Sequence, residues 1–432
     1  MNDYMNIIQI IPGSGGSFYC GNCLRDSKYF NALRKQGHQV VKIPMYLPLF
    51  SDEHDIADIP IFYGAISTYL KQIYPVFRKA PKWFDRMLNS KPMMRMAASM
   101  AGSTRARGLE DMTVSMLLGE QGEQKEELEN MVTWIAEHCK PDIIHLSNAL
   151  LLGLSKRLKE KVGVPVVCSL QDEDVWVDVM QPAFREKIWN LMNKRTEDVD
   201  ALVAVSDFYA QTMLEKMSLP PGKVHTLHLG VDHKDYIFKP ASQKPRNVGY
   251  ISRMCHDNGF DIVVDAFIKL KENPEFDDVK LIVTGGYTGD DSKFVKEQVR
   301  KIRANGLADK FELLPEFEDD AIHEFFAKVS LVSVPVRAGE AFGMYLIESM
   351  VSGVPVVQPA LGAFPEIISL SGGGAIYEPN TPEMLCEKWS EVITDPEKLE
   401  LLSNAGYKGT KDNFDIDKQA AKIIGLYESI LR

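Results

Sequence analysis

Residues 334–359 read VPVRAGEAFGMYLIESMVSGVPVVQP. A β-branched run ends near Val336, a loop carrying Glu340 follows, and Gly343 opens a helical run that lasts until Gly353 stops it. The next run, PVVQP, is again strand-like. Strand, loop, helix and strand in this order fit a parallel sheet covered by helices.

Outward from this stretch the same alternation fills the chain. NIIQII, HQVVKI, DIIHLS, PVVCSL, ALVAVS and HTLHLG occur in the first half, and NVGYIS, KLIVTG, FELLP, LVSVPV, PVVQP and GAIYE in the second. These runs are apolar on both faces and separated by amphipathic stretches such as FDIVVDAFIKLKE. They predict two α/β domains, each a doubly wound parallel sheet. Apolar periodicity lapses in GVDHKDYIFKPASQKPRN, residues 230–247, which sets domains over 1–230 and 231–416, with a mostly helical insertion over about 50–128 in the first. Ligands of open parallel sheets bind beyond the carboxyl ends of the strands, so two such domains predict a cleft between them.

The 432 residues are 45% hydrophobic and 25% charged, a composition that supports two cores. A formal charge of −11 argues against wholesale nucleic-acid binding, which needs basic surface to displace counterions. No window approaches the roughly 20 apolar residues of a membrane span, and MNDYMNIIQII has no basic region followed by a long apolar stretch; a cytoplasmic protein is expected. Six scattered cysteines fit a reducing compartment. The segment 69–109 departs from the average. Its Lys and Arg residues face Asp85 alone and are interleaved with Tyr74, Phe77, Trp83 and Phe84. It reads either as a surface for an anionic membrane or anionic substrate, with peripheral contact at the inner membrane face, or as a solvated helical insertion.

In the opening stretch, Met344, Leu346, Ile347, Met350 and Val351 span one broad apolar arc, with Glu348 at its edge. A carboxylate there is costly unless something donates hydrogen bonds to it, which ribose hydroxyls can do. Glu340 faces the cleft, where the N–H groups of Phe342, Gly343 and Met344 point with the positive end of the helix dipole. The plainer reading makes Glu340 a cap and Glu348 an ordinary helix-edge carboxylate.

The surrounding sequence resembles glycosyltransferase family 4, the retaining nucleotide-sugar-dependent enzymes of the GT-B fold. Glu340 and Glu348 match its Glu-x7-Glu element, with AFGM in place of the usual Gly-Phe-Gly-hydrophobic, and SGVPVV and GAFPEI match the segments after it. RKQGHQV at 34–40 is similar to the end of the family's first helix, LHLGVD at 227–232 to the strand before its hinge, and GYISRMCHDNGFDIVVDAF at 249–267 to its phosphate-binding loop. The resemblance implies that Glu340 contacts the donor sugar and Glu348 the ribose, that no metal or other cofactor is required beyond the nucleoside diphosphate sugar as co-substrate, and that the C-terminal helix, here about 417–432, crosses back onto the first domain.

The pattern is broken twice. Where the family sets an arginine and, five positions on, a lysine against the diphosphate, this chain has Arg253 and Asn258. Losing a cation where negative charge grows costs transition-state stabilisation, and Arg337 is the candidate replacement, with His256 a weaker one; Arg337 reads equally as a surface ion pair. After PVVCSL the family's histidine is replaced by Gln171, followed by Asp172, Glu173 and Asp174. Glutamine holds a hydroxyl but does not titrate near neutrality. The acidic residues read as binders of acceptor hydroxyls, as a cation site, or as a hydrated loop. His145, at the end of DIIHLS, is either an acceptor or donor contact or a strand-end histidine satisfied by backbone.

Upstream, IPGSGGSFYCGNC, residues 11–23, places Gly15 and Gly16 in the glycine-rich turn after the first strand, where ligands approach backbone amides. Cys20 and Cys23 lie outside the family pattern and read as wall cysteines, as a redox dithiol, or with Cys255 and His256 as a metal site. The expectation is a retaining glycosyltransferase that takes a sugar from the C-terminal domain to a glycan, lipid-linked or small-molecule acceptor held by the N-terminal one, with Glu340, Arg253 and Gln171 catalytic. An epimerase or phosphorylase of the same architecture, or a catalytically silent nucleotide-binding scaffold, are the alternatives.

Overall fold

The computed structural model describes residues 4–12, 21–45, 106, 108–315 and 320–432. They form two compact units. The first holds the described residues up to 12, those within Tyr29–Leu227, and Ala420–Arg432; the second holds those from 21 to 28 and His228–Gln419.

In the first unit the strands β1 (Asn6–Ile11), β2 (Gln39–Pro44), β3 (Ile143–Leu146), β4 (Val166–Leu170), β5 (Ala201–Ala204) and β6 (Val224–Thr226) form one parallel sheet in the order β2-β1-β3-β4-β5-β6. In the second, β7 (Val248–Ile251), β8 (Leu281–Thr284), β9 (Phe311–Leu313), β10 (Leu331–Val332), β11 (Val356–Pro359) and β12 (Gly374–Tyr377) form another, in the order β12-β11-β10-β7-β8-β9. All twelve runs read from the sequence are strands, and both sheets are doubly wound. Each sheet reverses direction once, between β1 and β3 and between β7 and β10, so the loops after these four strands line the two switch points.

The run LVSVPV pairs over Leu331 and Val332 alone. Beyond Ser333 the chain stays buried but leaves the ladder: Val334 N–H donates to the Gln358 side chain at 3.2 Å, and Pro335 has no N–H to give. Trp389, on the helix Pro382–Ile393, is fully buried and donates its indole N–H to Ser333 Oγ at 2.8 Å, fixing where the loop after β10 begins.

Two polar residues of the first unit that the sequence offers as ligand contacts are spent on its architecture. His145 in β3 is 6% exposed, with Nδ1 2.5 Å from Tyr427 Oη and Nε2 2.8 Å from Ser169 Oγ. His145 bridges the sheet to the C-terminal helix Ile416–Leu431 through Tyr427, with Ser169 on its other nitrogen. Glu173, expected at an acceptor, turns inward instead and is 1% exposed. Its carboxylate accepts from Ala149 N (2.8 Å), Gln171 N (2.7 Å) and Tyr209 Oη (2.8 Å), clamping the loop after β4 to the turn after β3. Burial pushes its carboxyl up to about 7 against those three bonds, which pull it down.

Tyr427→Phe is expected to leave a buried imidazole nitrogen without its partner and to lower unfolding free energy by roughly 1–3 kcal/mol, read from urea midpoints; an unchanged midpoint would remove this clamp from the account. Glu173 binds its proton more tightly in the folded chain, so between the ordinary 4.5 and about 7 the native state holds more protons than the unfolded one and stability contributed by this group falls as pH rises through that window. Glu173→Gln should flatten this dependence, measured as urea midpoint against pH; equal slopes in both proteins contradict it.

Candidate functional site

The switch point of the second unit is built on the loop after β7. Ser252 N–H donates to Thr284 O (3.4 Å) and Met254 N–H to Gly286 O (2.9 Å). A Cβ on Gly285 would lie 2.4 Å from Ser252 O, and one on Gly259 2.1 Å from Pro335 O, so the loop is wedged between its neighbours after β8 and β10 at both glycines. Within it Asn258 donates to Ser252 Oγ (2.9 Å) and to Arg253 O (3.2 Å). The residue standing where the family has lysine thus closes the loop on itself.

Arg253 grips Asp291 through two bonds, Nε to Oδ2 at 2.8 Å and Nη2 to Oδ1 at 3.0 Å. Burial works to raise the Asp291 carboxyl, but the guanidinium and Thr288 outweigh it and hold it below the usual range. Asp291 and Thr288 also form the capping box that starts the next turn. Arg337, the candidate second cation, forms a fork on Asp261 (3.0 and 2.8 Å) and donates to His256 O. This ion pair joins the loop after β10 to the helix Phe260–Leu270.

Glu340 follows in that loop, held by backbone. Ala363 N–H donates to Glu340 O at 2.9 Å, and a Cβ on Gly362 would lie 2.5 Å from Glu340 N. Gly339 has φ +76° and a Cβ there would lie 2.4 Å from Gly362 N, so two glycines permit the close approach of the loop to the GAFPEI segment. Gly343, at φ 88°, precedes the helix Met344–Val351 and supplies no side-chain cap. A Cβ there would approach Glu340 Oε2 to 3.2 Å, so the absence of a side chain leaves room for the carboxylate at the helix start. Phe342 packs beside His228 and Phe414, with ring centroids 6.3 and 5.8 Å away, and His228 Nε2 is 2.7 Å from Glu366 Oε1.

All eight residues of Met344–Val351 are buried, so the apolar arc seen in the sequence has no exposed face opposite it. Glu348 is 1% exposed, and its Oε1 accepts from Tyr236 Oη at 2.6 Å and from Lys28 Nζ at 3.1 Å. At the end of the helix, Ser352 O accepts from Lys244 Nζ (2.8 Å), which also donates to Phe326 O (2.9 Å); burial pushes the Lys244 amine down to about 7.

The sequence-predicted residues thus separate. Arg253, Asn258, Arg337, Glu340, Phe342, Gly343, Met344 and Glu348 all lie on the loops after β7 and β10 or on the helix that follows. In the first unit Gln171 is buried, donates to Ser147 O at 2.9 Å, and has an Oε1 without a hydrogen-bond partner. Asp172 adopts φ 55° before the short helix Glu173–Val177, and Asp174 Oδ1 lies 2.9 Å from Tyr209 Oη. Gly15, Gly16, Cys20, the Cys23 side chain and nearly all of segment 69–109 lie outside the described residues. Among the described residues no group of three or more His, Cys, Asp or Glu could hold a metal ion, and Cys255 is buried, which raises its thiol. Nor is any helix among them long and apolar enough to cross a membrane. Sequence reading missed Asp291, Tyr236, Lys28 and the His228–Glu366 pair; of these, GDD after a predicted strand was the one local signal, as an N-terminal cap.

Residues 126–235 match the family described as Glycosyltransferase Family 4, and residues 232–409 the one described as Glycosyl transferases group 1. The chain is 32% identical over 189 residues to the lipopolysaccharide core biosynthesis mannosyltransferase LpsB of Rhizobium meliloti, covering 43% of this chain and 52% of that one. It spans a similar half of LpcC of Rhizobium leguminosarum, 51% of its length. The MMP alpha-(1->4)-mannosyltransferase of Mycolicibacterium hassiacum is 22% identical over 67% of this chain and 71% of its own. In structure, a sucrose-phosphate synthase of Thermosynechococcus elongatus superposes with a TM-score of 0.70 at 15% identity, over 98% of this chain and 99% of that one. Anabaena HepE in complex with UDP does so at 0.67 and 18%, over 98% and 100%. Adjoining matches to two glycosyltransferase family models, on two doubly wound sheets, support a GT-B protein of the glycosyltransferase family 4 type.

Proposed function

We propose that the protein is a retaining, metal-independent glycosyltransferase that moves a sugar from a nucleoside diphosphate sugar to a glycan, lipid-linked or small-molecule acceptor. The observation that carries this reading is the pair Glu340 and Glu348 on either side of a helix start without a side-chain cap, at the switch point of the second sheet. An ionised carboxylate accepts strong, charge-assisted hydrogen bonds, and ribose hydroxyls can donate them to Glu348. Glu340, held by backbone at two glycines, orients the donor sugar, and the first-turn amides with Arg253 meet the diphosphate. The LpsB and M. hassiacum relatives are named mannosyltransferases and HepE holds UDP, which supports a nucleotide-sugar donor.

A second reading has its own observation. Arg253 and Arg337 are both committed to carboxylates and Asn258 to its own loop, so the diphosphate meets a site whose cations are already neutralised. This pairing favours a scaffold that binds nucleotide without turnover as the second reading.

A thermal-shift panel of UDP, GDP, ADP and CMP with their sugar conjugates, with and without Mg²⁺, separates the two. A ligand at 100 times its dissociation constant stabilises by about 2.7 kcal/mol, and a metal-independent shift with one base, followed by turnover with that donor, is the expected result. Binding without turnover favours the scaffold, and no shift with any removes both. Glu340→Gln is expected to keep the melting temperature while abolishing turnover; a matched loss of stability would make Glu340 a structural cap.

A further inference from the structure

Glu348, Tyr236 and Lys28, all in the second unit, form a closed triangle. Tyr236 Oη donates to Glu348 Oε1 at 2.6 Å, and Lys28 Nζ donates both to that same oxygen, at 3.1 Å, and to Tyr236 Oη, at 2.9 Å. The Lys28 ammonium also sits 5.0 Å from the centroid of the Tyr236 ring. The ring in turn meets His323 and Phe326, with centroids 5.8 and 6.4 Å away. The side chain of Lys28 is 16% exposed and that of Glu348 1%.

An ionised carboxylate this deeply buried needs a counter-ion and directed donors to remain charged. Both are present, and both act on one oxygen, so they constrain the side-chain torsions of Glu348. Tyr236 is held by its ring independently of its hydroxyl, which donates to Glu348 and accepts from Lys28.

We propose that Tyr236 and Lys28 are positioning residues for Glu348: they hold its carboxylate in the one orientation that accepts from a ribose, and so set the preference for a ribonucleotide over its 2′-deoxy counterpart. The inference rests on the reading of Glu348 as the ribose acceptor, and a test must let each fail separately.

Binding of UDP, GDP and ADP and of their 2′-deoxy forms is measured by calorimetry, and the tightest ribonucleotide is carried through Glu348→Gln, Tyr236→Phe, Lys28→Met and Lys28→Arg, with the melting temperature of each. Expected are discrimination against the 2′-deoxy form in the unaltered protein, its near-complete loss in Glu348→Gln, a loss of about tenfold in Tyr236→Phe and Lys28→Met, and retention in Lys28→Arg. Tyr236→Phe keeps the ring and its neighbours, so it folds even where Lys28→Met does not. Glu348→Gln without effect on discrimination, or no binding by the unaltered protein, overturns the ribose reading and this inference with it. Discrimination lost in Glu348→Gln but intact in Tyr236→Phe and Lys28→Met overturns the inference alone. So does a parallel fall in affinity for both nucleotide forms that tracks melting temperature, the mark of a merely structural role.

Discussion

A carboxylate removed from water must be surrounded by donors or lose its charge, and the second unit is organised around meeting that demand at Glu348. The helix that carries it is buried on every side, so the donors have to come from elsewhere in the chain: Tyr236 from the segment that enters the unit, and Lys28 from the helix Gly21–Lys35, more than 300 positions away. The same helix begins at a glycine with no cap and ends on a carbonyl held by Lys244, so its ends and its one charge are each fixed by a different part of the fold. Isolated ionic contacts on a surface contribute little; these act in a dry setting where leaving one unpaired is costly.

Backbone proximity does comparable work one step earlier. Gly339 and Gly362 lie so close that a methyl group on either would collide with backbone, and Glu340 is the residue between them. The GAFPEI segment is thereby explained physically: its glycine lets Glu340 be seated, and its Glu366 pairs with His228, which packs on Phe342 of the same loop. Gly259 and Gly285 do the same for the loop of Arg253. The loops of the site are thus seated by close backbone packing at a few glycines as well as by its charged groups.

The charged groups divide by whether the fold consumes them. Arg337 joins two loops through Asp261, Glu173 clamps two turns of the first unit, and His145 ties its sheet to the C-terminal helix. Each is of a type that catalysis uses, and each is satisfied by protein. Gln171 stands apart among them, with a buried carbonyl oxygen that has no partner.

Much of this was legible in the chain itself. Twelve apolar runs became twelve strands, because parallel strands covered by helices leave a dense local signature, and Glu340 and Glu348 were marked by their spacing around a glycine-started helix. The two ends of β10 and β6 were not legible, since where a ladder stops depends on what a neighbouring strand offers. Nor were the fates of His145, Glu173, Asn258 and Arg337. Local sequence states what a side chain can bond to; burial and partner come from segments as distant as His145 and Tyr427, 282 positions apart, which only packing brings within hydrogen-bond reach. Periodicity therefore determined the sheets and the order of the elements, and the tertiary structure alone decided which polar groups were left for a ligand, because a hydrogen bond already made inside the fold costs free energy to break.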